Sequence, residues 1–402
     1  MNLDLVKYTW NNIRHRKIRS WLTVVSILIG IMAIFALVSF GQGLQGYVND
    51  AFAKMGTDKI IIQPKGFAPP GSNPFTLTQS DLDYIRKIGG VAEAEAIVGD
   101  TVEVRIDPAK KGKFVSMVGF DPSSRLITDT LTLDIIEGSE LSPNDNYKVI
   151  LGNSYLKEKK VFEKPLRKGS KIYIRGFQFE VKGFYQEVGN PSDDSMIAAN
   201  LNVAEEVLNK TNQYQQIILR VQQGEDVNAI AQKIQDKLAK RKNQKAGQET
   251  FNVQTFQQLM ETFSMILNII NGVLLLIALV SVIVAGVNIM NSMFTAVLER
   301  TKEIGIMKAI GAKRSSILSI FLIESASLGF VGGAIGIGLG FGVAKIGESI
   351  ALAYGLTMLR PAFPWWLILG CLAFATVVAG LAGLTPAIRA ARQKPVDALR
   401  YE

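Results

Sequence analysis

The strongest constraint on this chain is a set of four segments that are long, apolar and almost free of charge. Residues 21–40, 262–298 and 362–388 contain no Asp, Glu, Lys or Arg, and residues 315–344 contain only Glu324. A helix of about 20 apolar residues crosses the hydrocarbon layer of a membrane. Because lipid cannot hydrogen-bond the backbone, such segments are expected to be helical. The sequence therefore predicts four membrane-spanning helices.

Charge is distributed unevenly around these four segments. Residues 1–20, 299–314 and 389–402 hold the whole formal net charge of +9, while the charges within residues 42–261 cancel. Positively charged flanking segments stay in the cytoplasm. We therefore expect a multi-pass protein of the cell (inner) membrane, with both termini cytoplasmic and a large domain outside. The same distribution argues against nucleic acid as a partner, because the basic residues report topology.

The predicted fold class is an α-helical membrane protein with four transmembrane helices and a mixed α/β extracytoplasmic domain inserted between helices 1 and 2. The predicted divisions are a cytoplasmic amphipathic helix (1–20), helix 1 (21–41), the extracytoplasmic domain with stalk helices (42–261), helix 2 (262–298), a cytoplasmic helix (299–314), helix 3 (315–344), a short external loop (345–361), helix 4 (362–388) and a cytoplasmic tail (389–402). A disordered basic tail is the alternative for residues 1–20.

The residue inventory excludes some site chemistries. Cys371 is the only cysteine and His15 the only histidine, so neither an intrachain disulfide nor a His/Cys zinc cluster can form. These counts do not exclude carboxylate-based or serine-based catalysis, although no nucleophile and base can be paired from the sequence. We expect that the chain binds no cofactor or metal.

The large insert alternates short strand-like and helix-like segments. The predicted strands are rich in β-branched and aromatic residues: Lys59–Gln63, Val102–Ile106, Phe114–Val118, Lys171–Ile174, Phe179–Val181 and Gln216–Val221. The predicted helices are Thr78–Ile88, Val203–Asn209 and Val227–Lys242, with Thr78 as an N-cap and Asp81 three residues on. Residues 69–74 and 189–194 have the composition of loops.

Helical apolar spacing continues beyond the first span and precedes the second. The repeating positions are Leu44, Val48, Phe52 and Met55 on one side, and Phe256, Leu259 and Phe263 on the other. This spacing predicts two stalk helices that run unbroken into the insert. Ordinary linkers at a domain boundary are the alternative.

The segment between the second and third spans reads ERTKEIGIMKAIGAKR and predicts a short helix. Ile304, Met307 and Ile310 form an apolar stripe with charged residues around it, and Gly311 suits a helix C-terminal cap. Such a helix can dock into a groove of another protein. A helix lying on the membrane surface is the alternative.

Several motifs of this chain together carry a family resemblance. In the membrane part they are ERTKEIGIMKAIGA (299–312), FLIESASLGFVGGAIGIGLG (321–340) and TPAIRAARQKPVDALRYE (385–402); in the insert they are LTQSDLDYIRKIGGV (77–91), VGFDP (118–122) and VILGNSYL (149–156). Over nearly its full length the chain resembles the MacB/LolC/FtsX-type permeases, which are mechanotransmissive (type VII) ABC transporters. The resemblance implies a MacB-like periplasmic core domain in the insert and an FtsX-like permease domain at about 262–395.

The resemblance also implies partners and site residues. A cytosolic ABC ATPase subunit and a second permease copy, as a homodimer, would assemble with this chain in membrane lipid. The residues that would contact the ATPase are Glu299, Arg300, Glu303, Ile304, Met307, Lys308 and Ile310. ATP and Mg²⁺ would be used by the partner, because the chain contains no G-x-x-x-x-G-K-[ST] motif for phosphate binding. We therefore expect that the chain is not by itself an enzyme.

Two features of the third span have alternative explanations. Gly329, Gly333, Gly336 and Gly340 have the spacing that lets helices approach closely, either within the subunit or at a dimer seam. Glu324 is an intramembrane carboxylate, with a structural hydrogen-bonding role favoured over a proton relay.

These expectations combine into one functional hypothesis. The chain is expected to be the permease subunit of an ABC transporter that couples ATP hydrolysis by a separate ATPase to motion of its extracytoplasmic domain. The task would be efflux or extraction of an amphipathic or hydrophobic substrate. The alternative is a non-transporting, FtsX-like regulator of a cell-envelope enzyme or division partner.

Overall fold

The computed structural model describes residues 19–65, 77–109, 111–245 and 247–399. Nearly all of the predicted amphipathic helix 1–20 and the whole predicted loop 69–74 lie outside these ranges. The chain divides into two compact units. The helical unit comprises Met1–Gln45, Ile266–Ala351 and Leu359–Glu402, and the α/β unit comprises Gly46–Met265 and Leu352–Met358.

The α/β insert lies between the first and second of the long helices. In chain order the helices are α1 (Arg19–Met55), α2 (Gln79–Arg86), α3 (Leu126–Thr130), α4 (Pro191–Asp194), α5 (Leu201–Leu208), α6 (Val227–Arg241), α7 (Phe256–Glu299), α8 (Thr301–Ala309), α9 (Arg314–Ala353), α10 (Trp365–Arg392) and α11 (Pro395–Leu399). The strands are β1 (Lys59–Pro64), β2 (Val91–Arg105), β3 (Lys113–Phe120), β4 (Ile135–Gly138), β5 (Lys148–Leu151), β6 (Lys171–Ile174), β7 (Phe177–Tyr185), β8 (Ile197–Asn200), β9 (Gln216–Val221) and β10 (Phe251–Thr255).

Four of these helices are long and apolar enough to cross a membrane, namely α1, α7, α9 and α10. They contribute to one buried cluster in the helical unit, in which Phe35, Ile289, Phe321 and Ala375 each represent a different helix. Both α1 and α7 continue without a break beyond the predicted spans, to Met55 and from Phe256 respectively. This continuity is what the predicted stalk helices require.

Glycines of α9 bring it close to α10. A Cβ atom added at Gly333 would lie 2.8 Å from the Cβ of Ala375, and one at Gly329 would lie 2.5 Å from the carbonyl oxygen of the same residue. Real Cβ atoms do not approach other atoms so closely, so only glycine permits this spacing between the two helix axes. Gly329 and Gly333 therefore form the surface of α9 on which α10 packs.

Further glycines of the same helix bring α9 close to α1. A Cβ atom at Gly336 would lie 2.9 Å from the carbonyl oxygen of Leu28, and one at Gly340 would lie 3.0 Å from that of Met32. Two neighbouring helices thus pack directly against the glycines of α9. The close packing at these positions takes place within the chain, and their surfaces are covered by α1 and α10.

The α/β unit is built on a mixed sheet. Among the described residues it has ten strands, in the order β10-β1-β9-β2-β3-β8-β5-β7-β4, with β6 pairing with both β2 and β7. The 15-residue strand β2 joins two parts of this sheet, because residues 91–97 pair with β9 and residues 98–104 pair with β3. Helices α2, α5 and α6 supply Ile85, Val207 and Ile234 to the main core cluster.

The predicted N-cap of α2 is confirmed. The Thr78 hydroxyl accepts from the amide of Asp81, and the Asp81 carboxylate accepts from the amide of Thr78 at 3.0 Å, which forms a capping box. Asp81 is buried and also accepts from the Lys242 ammonium at 2.8 Å. The short motif thus fixes both the start of α2 and its contact with the residue that follows α6.

Sequence patterns located the six predicted strands but missed others. Strand β2 begins 11 residues before the predicted start at Val102, because Glu93 and Glu95 interrupt the apolar pattern. In the fold Glu95 pairs with Arg86 at 3.1 Å and Glu93 pairs with Arg220 at 2.5 Å, which offsets their charges. The predicted loop at 189–194 contains the short helix α4, because Asn190 caps it and Pro191 occupies its first turn.

A substitution pair in α9 tests the close packing. Gly329→Ala should lower the stability of the folded chain by about 1–3 kcal/mol, because the new methyl group meets the backbone of α10. Gly338→Ala is the matched control, because a Cβ atom there has no neighbour within 4 Å. Thermal unfolding in lipid nanodiscs should separate the two variants. Equal midpoints for both would show that α10 does not rest on Gly329.

Candidate functional site

Helix α8 is joined to α7 by one residue. Arg300 stands between Glu299, the last residue of α7, and Thr301, the first of α8, and it has a non-helical backbone (φ −106°, ψ 18°). The Thr301 hydroxyl donates to the carbonyls of Val297 at 3.2 Å and Leu298 at 2.9 Å, which lie in the last turn of α7. These bonds satisfy carbonyls that a helix end leaves unpaired. The junction is therefore compact.

The other end of α8 is closed by a glycine. Gly311 has φ +101°, its amide donates to the carbonyl of Lys308 at 3.1 Å, and the amide of Ala312 donates to the carbonyl of Met307 at 3.0 Å. These two bonds form the Schellman motif, in which the positive φ costs glycine little. The predicted cap at Gly311 is confirmed, and α9 begins only three residues later, at Arg314.

The inner face of α8 packs into the core of the helical unit. Ile304 is 0% exposed and belongs to the same cluster as Ile317 of α9 and Ala387 of α10. Gly305 is also buried, and Met307 packs against the cluster while partly exposed. Movement of α8 would therefore act directly on α9 and α10.

Lys308 connects α8 to the end of α10. Its ammonium donates to the carbonyls of Ala391 and Gln393, each at 2.6 Å. These carbonyls lie at the C-terminal end of α10, where lone carbonyls and the helix dipole favour a cation. Burial, followed by the nearby positive charge of Arg314, lowers the pKa of Lys308. The ammonium thus serves an internal cap.

Arg300 and Glu324 form an ion pair between the start of α8 and the interior of α9. The guanidinium lies 3.3 Å from the carboxylate, with side-chain exposures of 14% and 6%. A buried carboxylate needs such a partner, since an unpaired charge in a low-dielectric environment is strongly unfavourable. Together with Lys308 and Ile304, this pair gives α8 three separate attachments to the helical unit.

The outer face of α8 is exposed and carries apolar side chains between charged ones. Ile306 is 50% exposed and Ile310 is 82% exposed. Glu299, Lys302 and Glu303 are also exposed and flank them along the chain. We call these five residues the docking surface. Two exposed isoleucines on a helix that is attached on its other side form a surface suited to a protein partner.

The structure separates the seven predicted contact residues by exposure: Glu299, Glu303 and Ile310 are exposed, Arg300, Met307 and Lys308 are half-buried, and Ile304 is buried. Because Ile304 has no accessible surface, it cannot contact a separate protein in this conformation. The predicted single stripe of Ile304, Met307 and Ile310 is therefore wrong, because Ile310 is exposed together with Ile306. The sequence pattern did not single out Ile306, although Glu303, Ile306 and Ile310 share helical spacing. Two apolar stripes run along α8, and only packing decides which one faces inward.

A second constellation lies where the long helices meet the sheet of the α/β unit. Strand β10 ends at Thr255 and α7 begins at Phe256, without a linker. The Thr255 hydroxyl accepts from the amide of Gln258 at 3.1 Å, and the Gln258 side chain accepts from the amide of Thr255 at 3.1 Å. This reciprocal pair is a capping box, and it fixes the angle at which the strand turns into the helix.

The end of α1 is held in a similar way. The Lys59 ammonium is buried and donates to the carbonyl of Met55, the last residue of α1, at 2.5 Å. Gly56 turns the chain with φ +80°, and β1 then pairs with β10 so that Ile60 lies opposite Thr255. The rings of Phe52 and Phe256 also meet, edge to face, at 6.1 Å. The C-terminal end of α1 and the N-terminal end of α7 are thus fixed to each other.

Among the residues that the structure describes, no three His, Cys, Asp or Glu side chains form a group that could hold a metal ion.

Two protein families match this chain. The MacB-like periplasmic core domain matches residues 20–237, and the FtsX-like permease C-terminal domain matches residues 275–395. The first match covers the α1 helix and most of the α/β unit, and the second covers most of α7 together with α8, α9 and α10.

Relatives match over the whole chain. The uncharacterized ABC transporter permease MJ1507 of Methanocaldococcus jannaschii is 34% identical over 401 residues, which cover 99% of this chain and 98% of the relative. The uncharacterized ABC transporter permease YknZ of Bacillus subtilis is 27% identical, with coverage of 100% of this chain and 99% of the relative. The macrolide export ATP-binding/permease protein MacB of Marinobacter nauticus is 28% identical over 99% of this chain but only 61% of its own length.

A double-mutant cycle tests the Arg300–Glu324 pair. Glu324→Gln should lower the stability of the chain in nanodiscs by about 2–4 kcal/mol, because it leaves the half-buried guanidinium without its counter-charge. Replacing both residues, as Arg300→Met with Glu324→Gln, should recover most of this loss. Thermal unfolding of the two single variants and the double variant gives the coupling energy. Additive effects would show that the two groups do not interact.

Proposed function

Because the chain belongs to the ABC transporter permeases that combine a MacB-like periplasmic core domain with an FtsX-like permease domain, we propose that it couples a separate cytosolic ATPase to its α/β unit. ATP hydrolysis by that partner would drive motion of the α/β unit outside the cytoplasm. The work done would be efflux or extraction of an amphipathic or hydrophobic substrate. The chain itself would be a non-enzymatic subunit, with ATP and Mg²⁺ held by the partner.

The observation that carries the proposal is that α8 has one buried face and one exposed apolar face. Its outer face presents Ile306 and Ile310, which a groove on the ATPase would cover, and its inner face is packed into the helical unit. Apolar anchors surrounded by charged residues are typical of protein interfaces. The proposed contact residues are those of the docking surface, and Ile304 acts instead as an internal anchor.

Force applied to α8 has defined routes into the helical unit. The ion pair from Arg300 reaches α9, the ammonium of Lys308 reaches the end of α10, and Ile304 contacts the shared core. A helix attached at three points moves with its neighbours, because packed interiors transmit displacement rather than absorb it. Closure of an ATPase against α8 would therefore tilt the membrane helices as a group.

Motion of α1 and α7 would reach the α/β unit directly, because no flexible linker separates these helices from the sheet. Each is one continuous helix, and each ends at a capped junction with a strand of the sheet, at Lys59 and at Thr255. Because β1 and β10 are adjacent, both helices act on the same edge of the sheet. This arrangement suits a protein that handles substrate outside the membrane.

The assembly we propose contains two permease copies, as a homodimer, and two ATPase subunits in a lipid membrane. The exposed apolar residues of α7, among them Ile269, Leu276 and Val280, suit contact with lipid or with the second copy. Both termini would lie in the cytoplasm, in accord with the positive charge of residues 299–314 and of the C-terminal segment.

Loss of ATPase binding on changing the docking surface is the central test. The double variant Ile306→Asp/Ile310→Asp should weaken co-purification of the candidate ATPase by about 10–100-fold, because it removes two apolar anchors. It should also abolish stimulation of ATP turnover by the permease. Both side chains are exposed, so folding of the permease should be unaffected.

The matched control is Ile136→Asp, since Ile136 is also a half-exposed isoleucine (51%) but lies on β4 of the α/β unit. It should bind the ATPase as the wild type does. Equal binding by the double variant and the control would refute the docking surface. Failure of the wild type to bind any ATPase encoded with it would favour the regulator of a cell-envelope enzyme instead.

A further inference from the structure

The segment between α9 and α10 begins as part of the α/β unit. Leu352–Met358 groups with this unit, although α9 and α10 themselves belong almost entirely to the helical unit. Helix α9 ends at Ala353, and Gly355 turns the chain with φ +85° while its amide donates to the carbonyl of Leu352 at 3.0 Å. The segment therefore leaves the helix in a defined turn.

Two hydrogen bonds hold this segment on the α/β unit. The amide of Thr357 donates to the carbonyl of Gly189 at 3.0 Å, and the ammonium of Lys160 donates to the carbonyl of Ala353 at 3.0 Å. The second bond places a cation on the last residue of α9, where a helix end favours positive charge. The two bonds lie on either side of the turn at Gly355.

The contact at Gly189 requires glycine for two reasons. Its φ of +95° is strained for any other residue, and a Cβ atom there would lie 3.3 Å from the Cβ of Thr357. A chain that turns in this way presents its carbonyl to the segment at close range. The approach of the two backbones is thus built into the loop.

A buried carboxylate fixes the conformation of this loop. Asp194 is 4% exposed, and it accepts from the amides of Val188 at 2.7 Å and Gly189 at 3.0 Å. Charge-assisted bonds to backbone amides are stronger than neutral ones. At the start of the loop, Glu187 pairs with the Lys157 ammonium at 2.7 Å. Asp194 therefore holds the Gly189 carbonyl where Thr357 can reach it.

The same loop also contacts α1. The hydroxyl of Tyr47 donates to the carbonyl of Val188 at 3.4 Å, a long hydrogen bond one residue before Gly189. Residues 187–194 thus touch the outer part of the first long helix and the segment that joins the third and fourth.

We propose that residues 187–194 are a latch that holds Leu352–Met358 on the α/β unit and gives movement of α9 and α10 a route into that unit separate from α1 and α7. The route through the latch rests on the proposed function; the latch itself does not. Asp194 is its positioning residue, because it orders the loop through the amides of Val188 and Gly189.

Such a latch has a mechanical consequence. The helices α1 and α7 both act on the β1–β10 edge of the sheet, whereas the latch follows β7 and precedes β8, elsewhere in the same sheet. A second place of attachment allows the sheet to be bent or twisted between the two places. The response of the latch to nucleotide distinguishes this role from a purely structural one.

The first experiment measures amide hydrogen exchange in the full-length permease alone, in lipid nanodiscs. Asp194→Ala should speed exchange of the Thr357 amide about five- to tenfold, because the acceptor loop loses its order. Asp194→Asn should give an intermediate value, since the amide oxygen can still accept. Asp193→Ala is the matched control, because the exposed Asp193 carboxylate bonds only to the Asn190 side chain among the contacts described. Unchanged exchange in Asp194→Ala would overturn the latch.

Lys160→Met provides a second variant in case Asp194→Ala disturbs folding, because the Lys160 side chain is exposed. It should speed exchange in 352–358, whereas Lys164→Met, a change at another exposed lysine of the same connection, should not. Equal exchange in the two lysine variants would count against the latch.

The second experiment adds the ATPase with a non-hydrolysable ATP analogue. In the wild type the nucleotide should change exchange in both 187–194 and 352–358, and in Lys160→Met this response should fall at least twofold while ATPase co-purification stays unchanged. A full response in Lys160→Met would overturn the separate route. Loss of ATPase binding by the wild type would instead refute the proposed function, and the measurement on the permease alone would still decide the latch.

Discussion

Lipid offers the backbone no hydrogen bonds, and the rest of this structure depends on how the chain meets that constraint. Amides and carbonyls within the membrane are paired inside their own helices, so helices associate there through close packing and interhelical polar contacts. The glycines of α9 supply that packing on two sides. Gly329 and Gly333 admit α10 and Gly336 admits α1 at distances that real Cβ atoms do not show, and Gly340 admits α1 at a distance that is unusually short for a Cβ atom. The bundle is thereby organised around α9.

The bundle in turn determines what α8 can do. A short helix with two apolar stripes could roll on a membrane surface, but here one stripe is held by the core, by the Arg300–Glu324 pair and by the Lys308 cap. These contacts are costly to break, since each would leave a buried charge or an apolar cavity. The other stripe stays exposed. A helix that is fixed on one side and exposes apolar side chains on the other can receive force from a bound partner and pass it to the bundle. This asymmetry connects the fold to the transport function we propose.

The α/β unit shows the complementary design at its own helix junctions. Capping at Thr255 and at Lys59 fixes the angles at which the helices meet the strands. Pairing of β1 with β10 then holds the two junctions together. Order in the 187–194 loop comes from the short helix α4 and from the buried carboxylate of its last residue, Asp194, which binds two backbone amides of the loop. Local devices of this kind set how stiffly a domain follows the helices that enter it.

The sequence by itself determined the features that depend on local pattern. Apolar length predicted four membrane helices, alternation predicted strands such as Lys171–Ile174, and short-range capping predicted the ends at Thr78 and Gly311. It could not decide that Ile304 turns inward and Ile306 outward, because a helical pattern gives the angle between side chains but not the direction of the core. Nor could it pair Arg300 with Glu324, Lys308 with Ala391 or Thr357 with Gly189, since those partners are 24 to 168 residues apart along the chain. Only the tertiary structure, in which distant segments compete for the same buried space, decides such contacts.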